Sequence, residues 1–319
     1  MTTDVNADPT HTGPTDPAAL PSVGVVIPTR NRPMLVRRAL EAVLAQDYAG
    51  RMRIIVVFDG TRADHGLRGT ESRPVLALAN WRTPGLAGTR NTGLLGLDTD
   101  LVAFCDDAHQ WHPDKLTAQV DALLAAPSST EFVTCATEVK HGERCEPQPL
   151  GTASMRLPDL VHARIPVPRS STFLARRAAM TGPLGLLAEE APGSRNEDWD
   201  LLLRAAKRAP IVHVDRPLVR VPAPPRAHFG YEYASKIAAL RWMMSRHPEI
   251  RGCRPGAARA YGQLARWSAL TGNRRDAWAF SREAVRSNWR EPRNALAIAA
   301  ASGVVNTRLL GLIEGRPEF

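Results

Sequence analysis

The chain has 319 residues, a formal net charge of +9 and 44% hydrophobic residues. This length suits one large domain, or one domain with an appendage, and the basic charge favours anionic partners such as nucleotide phosphates or an acidic membrane surface. The four cysteines form no Cys-x-x-Cys pair, which argues against a disulfide framework or a zinc site. The longest apolar run, NALAIAAASGVV, is shorter than the roughly 20 residues that a membrane-spanning helix needs.

The first 21 residues are rich in Pro, Thr, Asp and Gly, and they have no basic start followed by an apolar core. This composition predicts a disordered leader at 1–21 rather than a signal peptide. We therefore expect a cytoplasmic protein, or one that associates peripherally with the inner membrane face through its basic surface. The sequence contains no recognised nucleic-acid-binding module and no stripe of basic and aromatic residues, so we expect no nucleic-acid partner.

Short apolar runs then alternate with segments whose apolar residues have helical spacing. The predicted strands are Val23–Pro28, Arg53–Phe58, Val75–Asn80 and 101–105, and the predicted helices are 34–46, 87–97 and 115–125. Strands separated by helices favour an α/β fold with a parallel, doubly wound sheet.

After Ser128 the pattern changes. EFVTCATEV, IVHV and PLVRVP predict strands, STFLARRAAMTG predicts a strand followed by a short helix, and SRNEDWDLLLRAAKRAP predicts an amphipathic helix with acids at its start. From about Ala234 the pattern is wholly helical, with segments at 234–247, 256–271, 274–287 and 291–301. Their helix-turn-helix pattern is similar to tetratricopeptide hairpins, but the units are too few for a repeat array.

Polar, turn-prone residues follow three of the predicted strands: PTRNR at 28–32, FDGTR at 58–62 and CDDAH at 105–109. In open parallel sheets, ligands bind outside the carboxyl ends of the strands. We therefore expect these three segments to meet in one crevice.

Five segments, in this order, carry a family resemblance: VVIPTRNRPMLVRRALEAVLAQDY, IIVVFDG, NWRTPGLAGTRNTGL, VAFCDDAHQWHPDKLTAQ and NEDWDLLLR. Together they resemble a family 2 glycosyltransferase with the GT-A fold, a Rossmann-like, mostly parallel sheet flanked by helices. The resemblance implies a GT-A domain at 22–232, with a nucleotide-binding half at about 22–127 and an acceptor half at about 128–232. The all-α region at 233–319 resembles C-terminal extensions of bacterial members, and it is expected to shape the acceptor side, bind a partner or form a dimer.

The resemblance also implies which residues bind a nucleotide-diphosphate sugar. They are Pro28, Thr29, Arg30, Asn31, Asp59, Arg90, Asn91, Asp106 and Asp107. A loop that leads into a helix offers free N–H groups and a positive dipole to an anion. Asp59 is expected to accept a hydrogen bond from the base, although Phe58 replaces the acid that commonly precedes it, and Arg90 is expected to contact the base or a phosphate.

The metal site of this family is altered in the chain. Asp106 falls at the first position of the Asp-x-Asp signature, but Ala108 replaces the second acid. In such enzymes Mn²⁺ or Mg²⁺ stabilises the charge of the departing nucleotide. His109 could replace the missing ligand, with His112 and His228 as further candidates. Three alternatives follow: a metal held by Asp106 and His109, a metal-free site in which arginines hold the diphosphate, or lost transferase activity.

The segment RNEDWD offers a general base. The resemblance implies that Asp198, with Glu197 beside it, takes the proton of the acceptor hydroxyl in an inverting transfer, although acids also favour a first helical turn because they oppose the helix dipole. The expected activity is glycosyl transfer from a nucleotide-diphosphate sugar, by family analogy a UDP-sugar, to a glycan, lipid-linked glycan, protein or small natural product. The alternative is a non-catalytic, degenerate GT-A module with a helical protein-interaction tail.

Overall fold

The computed structural model describes residues 20–162, 167–223, 233–290 and 293–302. The predicted leader at 1–21 lies outside the described residues except for Leu20 and Pro21, and the candidate ligand His228 also lies outside them. Within the described parts of the chain, no helix is long and apolar enough to cross a membrane.

Within the described residues, ten strands form a single sheet. They are β1 (Val23–Thr29), β2 (Met52–Phe58), β3 (Val75–Ala79), β4 (Leu101–Phe104), β5 (Gln110–Trp111), β6 (Phe132–His141), β7 (Arg144–Gln148), β8 (Ser154–Met155), β9 (Leu174–Arg176) and β10 (Ile211–Pro222). The main path of the sheet runs β3-β2-β1-β4-β9-β6-β10-β5, with β7 paired to β6 and β8 paired to β10.

The sheet is mostly parallel, as predicted. Strands β3, β2, β1 and β4 are parallel neighbours, and β6 is parallel to β10. Strand β9 lies antiparallel between β4 and β6, so the strands on both sides of it point the same way. The carboxyl ends of β1, β2 and β4 therefore open on one edge, which is the edge that the sequence predicts for the crevice.

Besides two short 3₁₀ helices at Ser170–Thr172 and Pro192–Ser194, eleven α-helices are described along the chain. They are α1 (Pro33–Leu44), α2 (Leu86–Leu95), α3 (Lys115–Ala125), α4 (Leu157–His162), α5 (Arg177–Thr181), α6 (Glu197–Arg208), α7 (Tyr233–Arg246), α8 (Pro248–Gly252), α9 (Arg254–Leu270), α10 (Arg274–Ser287) and α11 (Arg293–Ser302). The helical nature of the C-terminal region is confirmed within the described residues.

The hydrophobic core forms on both faces of the sheet, because neighbouring residues of a strand point to opposite faces. In β1, Val25 and Ile27 pack with the buried residues of α1 and α3, whereas Val26 packs on the other face with those of α2 and α6. The core on the face of the sheet that carries Val26 continues into the C-terminal helices through Met243 of α7 and Leu264 of α9. The helical region therefore shares a core with the sheet.

The sequence prediction was wrong in a few elements. IVHV and PLVRVP, predicted as two strands, form the single strand β10, whose pairing with β6 is irregular around Pro217. Strands β5, β7 and β8 and helices α4 and α8 were not predicted. They are two to six residues long, too short for a period to show in the sequence.

Candidate active site

The carboxyl ends of β1, β2 and β4 open into one cleft with a volume of about 570 Å³, bordered by the start of α2 and by residues 193–195. The cleft is lined by Pro28, Thr29, Arg30, Arg32, Asp59, Gly85, Leu86, Thr89, Asp106, Asp107, Ala108, His109, Gly193, Ser194 and Arg195. The structure thus brings together most of the side chains that the sequence singles out. Arg90 and Asn91 are not among these lining residues, and neither is Asn31, which is exposed at the adjacent turn.

Asp107 ties two strand ends together. It accepts a hydrogen bond from Thr29 Oγ1 at 2.9 Å, and its second oxygen pairs with Arg32 Nη1 at 3.2 Å. Strand β4 ends at Phe104, so the alternation of side chains along a strand does not continue to Asp106 and Asp107. The chain turns there, so both acids line the same cleft.

Asp59 holds the loop that precedes α2. Its Oδ1 accepts a hydrogen bond from Asn80 Nδ2 at 2.9 Å, and its Oδ2 accepts one from the backbone N–H of Gly85 at 3.1 Å. Gly85 has a φ of 117°, a conformation that glycine tolerates and L-residues avoid. The exposed Arg30 lies 3.7 Å from Asp59, across the mouth of the cleft. Asn80 was not predicted, because a lone asparagine at a strand end usually signals only a turn.

Arg90 bridges two carboxylates beneath the cleft instead of facing it. Its side chain is 2% exposed, and it donates from Nη2 to Asp106 Oδ1 at 2.6 Å and from Nη1 to Glu197 Oε1 at 2.8 Å. Although burial acts against the charge, Asp106 and Glu197 raise the pKa of Arg90, so the guanidinium stays charged. The prediction that Arg90 contacts a base or phosphate directly is wrong, because the buried guanidinium is paired with two carboxylates of the protein.

The predicted role of Asn91 in nucleotide-sugar binding is also wrong, because Asn91 is fully buried. Its Nδ2 donates to the carbonyl of Leu187 at 2.9 Å and to Glu189 Oε1 at 2.7 Å, and its Oδ1 accepts from the N–H of Leu187 at 3.0 Å. These three hydrogen bonds fasten α2 to the segment before α6. Asn91 therefore supports the cleft wall rather than binding a nucleotide.

His109 lies against Asp106 and a serine that the sequence did not single out. Its Nδ1 is 2.7 Å from Ser171 Oγ and 3.5 Å from Asp106 Oδ2. Burial lowers the pKa of His109 more than the nearby Asp106 raises it, so the imidazole is neutral at neutral pH. Burial acts to raise the pKa of Asp106, but the charge of Arg90 outweighs it and holds that pKa below its ordinary value.

These residues do not make a convincing divalent-cation site. Asp106 is paired with Arg90 on one oxygen, and the two oxygens of Asp107 are engaged with Thr29 and Arg32. His112, an additional candidate, pairs with Glu138 at 3.0 Å instead. No group of three or more His, Cys, Asp or Glu side chains that could hold a metal occurs in 20–162, 167–223, 233–290 or 293–302. Hard divalent cations need several oxygen ligands, so the donor set fits the metal poorly.

The predicted acids Glu197 and Asp198 open helix α6. The chain enters this helix through Asn196, whose φ of 65° is left-handed, a conformation that asparagine adopts more readily than most other non-glycine residues. Glu197 is buried under the cleft against Arg90. Asp198 is half-buried, accepts a hydrogen bond from the N–H of Trp199 at 2.8 Å, and lines a second pocket beside the C-terminal helices.

The environment of the two acids favours their protonated forms. Burial, followed by the charge of Asp198, raises the pKa of Glu197 to about 7, against the opposing charge of Arg90. Burial likewise raises the pKa of Asp198 above its ordinary value, and Arg90 again opposes the shift. A carboxylate with a raised pKa is a stronger base near neutral pH than an ordinary aspartate.

A buried ionic network holds α6 against α7. Asp200 is fully buried and accepts hydrogen bonds from Arg204 Nε at 2.9 Å, Arg246 Nε at 2.6 Å and His247 Nε2 at 2.8 Å. Burial acts to raise the pKa of Asp200, but these partners, with His247 the strongest of them, lower it to about 2. The helix that carries Asp198 is thus fixed by the C-terminal region.

We expect Asp200→Asn to lower the free energy of unfolding by about 1.5–3 kcal/mol, because Arg204 and Arg246, whose side chains are 18% and 37% exposed, lose a charged hydrogen-bond acceptor. The pKa of Asp200 falls from 3.8 to about 2 on folding, so its stabilisation is complete above pH 3.8 and is lost as the pH falls towards 2. Urea unfolding at pH 7 and pH 3 measures both effects. Equal losses at the two pH values would contradict the ionic account, and Asp98→Asn on the surface is the matched control.

The order of the strands and the crevice at their carboxyl ends define a GT-A fold, and three comparisons agree. Residues 24–171 match the family model described as Glycosyl transferase family 2. Within these residues the chain is similar to the glycosyltransferases of that family.

Two solved structures share this fold over most of the chain, and one curated protein matches a short part of its sequence. The solved structure of Staphylococcus aureus TarS 1–349 in complex with UDP-GlcNAc has a TM-score of 0.60 at 14% identity, with 93% of each chain covered. The same TarS fragment in complex with UDP has a TM-score of 0.55 at 13% identity, over 93% of this chain and 92% of that one. An N-acetylglucosaminyltransferase from Neorhizobium galegae is 45% identical over 47 residues, which are 14% of this chain and 11% of that relative.

Proposed function

We propose that the chain is an inverting glycosyltransferase that moves a sugar from a nucleotide-diphosphate donor to an acceptor hydroxyl, with Asp198 as the general base. The observation that carries this proposal is the position of Asp198, on the short segment that separates the cleft from the second pocket. Gly193, Ser194 and Arg195 line the cleft, whereas Asn196 and Asp198 line the pocket. A base at this junction lies between a donor on one side and an acceptor on the other.

In the proposed reaction, the donor's nucleotide occupies the cleft at the ends of β1, β2 and β4. The acceptor hydroxyl gives its proton to Asp198 while its oxygen attacks C1 of the sugar from the face opposite the diphosphate. The bond between C1 and the diphosphate oxygen breaks, and its electron pair leaves with the nucleotide. This in-line displacement inverts the configuration at C1.

The charge on the leaving diphosphate needs a partner, and the arginines at the mouth of the cleft offer one. Arg30 and Arg32 have side chains that are 68% and 58% exposed, and both line the cleft. Guanidinium groups bind phosphates through forked hydrogen bonds. Because Asp106 and His109 fit a cation poorly, we favour arginines over Mn²⁺ or Mg²⁺ for this role. A uridine nucleotide is the donor we favour, because the TarS structures of the same fold hold UDP-GlcNAc and UDP.

Calorimetric titration of UDP, GDP and dTDP, with chelator and with Mn²⁺, tests the donor side. We expect UDP to bind in the presence of chelator. Each of Arg30→Ala and Arg32→Ala should weaken that binding at least about tenfold, since a hydrogen bond to a charged group is worth about 1.5–3 kcal/mol. Arg53→Ala, a surface arginine paired with Asp98, is the control. A large gain with Mn²⁺ that disappears in His109→Ala would restore the metal role of Asp106 and His109.

The second candidate is a non-catalytic module that binds a nucleotide sugar without turnover. Ala108, Phe58 and the pairing of Asp106 with buried Arg90 favour it. UDP binding without any release of UDP from UDP-sugars, with or without acceptors, would select this function.

A further inference from the structure

Ser171 is a fully buried serine that contacts two residues of the altered metal motif. Its Oγ accepts a hydrogen bond from the backbone N–H of Asp106 at 2.9 Å and lies 2.7 Å from His109 Nδ1. Its carbonyl accepts from the indole Nε1 of Trp111 at 3.1 Å, which fixes the serine in place. The hydroxyl therefore meets one donor and one ring nitrogen that can either donate or accept.

The hydrogen bonds of Ser171 indicate which nitrogen of the neutral His109 ring carries hydrogen. A hydroxyl has one proton and two lone pairs. If Nδ1 donated to Ser171, both lone pairs would be used, and the buried hydroxyl proton would have no acceptor among the described residues. Such an unsatisfied donor costs free energy. If the hydroxyl donates to Nδ1 instead, every group is satisfied and the ring hydrogen lies on Nε2.

The carboxylate of Asp106 opposes this tautomer, because it would attract a proton on Nδ1. Its Oδ2 lies 3.5 Å from Nδ1, however, which is too long for a good hydrogen bond, whereas Ser171 Oγ lies at 2.7 Å. The other oxygen of Asp106 is already paired with Arg90 at 2.6 Å. The short contact with the serine therefore outweighs the longer one with the carboxylate.

The tautomer decides what His109 offers to a ligand in the cleft that it lines. Its Nε2 has no hydrogen-bond partner among the described residues. A bare Nε2 is a cation ligand, and histidines that bind metals almost always donate their other N–H to a neighbouring group. An Nε2 that carries hydrogen has no lone pair for a cation, but it can donate to an anion.

The position of His109 suits the phosphates of a nucleotide. Strands β2, β1 and β4 are successive neighbours in the sheet, about 4.8 Å apart. A nucleotide whose base lies at Asp59, after β2, therefore extends across the end of β1 and brings its phosphates to the end of β4, where the segment with His109 begins.

We propose that Ser171 holds His109 in the tautomer with hydrogen on Nε2, and that this N–H donates to the leaving diphosphate in place of a divalent cation. The inference rests on the proposed transferase function. As the bond between C1 and the diphosphate oxygen breaks, its electron pair stays on that oxygen, and the N–H stabilises the new charge without giving up its proton. Ser171 is a positioning residue that acts through His109.

NMR of the chain labelled with ¹⁵N-histidine tests the tautomer, because the couplings between ring protons and ring nitrogens distinguish a protonated nitrogen from a bare one. We expect the His109 signals, identified by their loss in His109→Gln, to show hydrogen on Nε2. Ser171→Ala should shift the ring towards hydrogen on Nδ1, because the carboxylate of Asp106 then prevails. Ser170→Ala is the matched control, since the side chain of that buried neighbour makes no hydrogen bond within the described residues. Hydrogen on Nδ1 in the native chain would overturn the proposal.

Calorimetric titration in chelator tests the contact with the diphosphate. His109→Leu should weaken UDP at least about tenfold, the usual worth of a hydrogen bond to a charged group. His109→Gln should retain part of the affinity, because its amide can still donate. Uridine, which lacks the diphosphate, should bind the native chain and both variants equally.

Two results of the titration would contradict the proposal. Equal UDP affinity in His109→Leu and the native chain would exclude the contact. A gain in UDP affinity with Mn²⁺ that disappears in His109→Leu would show that Nε2 is bare and binds the metal. Failure of UDP to bind the native chain would count against the proposed transferase instead, because the NMR measurement without nucleotide still decides the tautomer.

Discussion

Asp198→Asn is expected to lower kcat for glycosyl transfer by about 10²- to 10⁴-fold, the usual contribution of a positioned general base. Asparagine keeps the size of the side chain and can still accept from the N–H of Trp199, as Asp198 does at 2.8 Å. It cannot take a proton from the acceptor. The affinity for UDP should not change, because Asp198 lines the second pocket and is not among the residues that line the cleft.

Steady-state release of UDP measures the first quantity, and calorimetric titration of UDP measures the second. Asp98→Asn is the control, because it makes the same chemical change at an exposed aspartate that lines neither the cleft nor the second pocket. If Asp198→Asn retains native turnover, another group is the base, and the assignment to α6 is wrong.

The pH profile of kcat/KM gives an independent check on the same residue. Burial raises the pKa of Asp198, so the fraction that can accept a proton should fall at a higher pH than for an ordinary aspartate, whose pKa is 3.8. We expect an acidic limb with its midpoint clearly above that value, carrying the combined titration of Asp198 and Glu197. A limb at the ordinary aspartate value would contradict burial as the cause of the shift.

Much of the cleft could be predicted because it follows from topology. Parallel strands end on one edge, so Thr29, Asp59 and Asp106 had to meet once the helix and strand periods were recognised. The acids of α6 were predictable from their place at the start of a strongly amphipathic helix. In both cases the position of the residues follows from a local pattern and a general rule of sheets, whereas their chemical role is what the family resemblance implies.

The partners of these residues could not be predicted in the same way. Arg90 meets Glu197 across 107 positions of sequence, and His109 meets Ser171 across 62. A single sequence carries no signal for such long-range pairs, so Arg90 was assigned to the ligand when its charge is balanced inside the protein. The second pocket was hidden for the same reason, because its walls come from strands and helices more than 100 residues apart.

Arg90→Met is expected to lower the free energy of unfolding by about 3–5 kcal/mol, because it removes one partner of a buried ion pair and leaves carboxylates without a counter-charge. Glu197, 6% exposed in its side chain, is the more affected of the two acids, since Asp106 retains 23% exposure to water. Arg90→Lys should also lose stability, because a single ammonium cannot reproduce the forked contacts at 2.6 Å and 2.8 Å. Urea denaturation measures both variants, with Arg53→Met as the surface control.

The double variant Arg90→Met with Glu197→Gln separates charge from packing. If the loss in Arg90→Met comes from an uncompensated carboxylate, neutralising Glu197 should recover part of the stability, and the two changes will be non-additive. Turnover should not recover in parallel, because Arg90 also lowers the pKa of Asp198, so its removal moves the acidic limb of the rate profile to higher pH. Additive losses in stability would mean that Arg90 acts through its packing. Recovered stability without recovered rate would show that one guanidinium both holds α6 to the sheet and sets the protonation of the base.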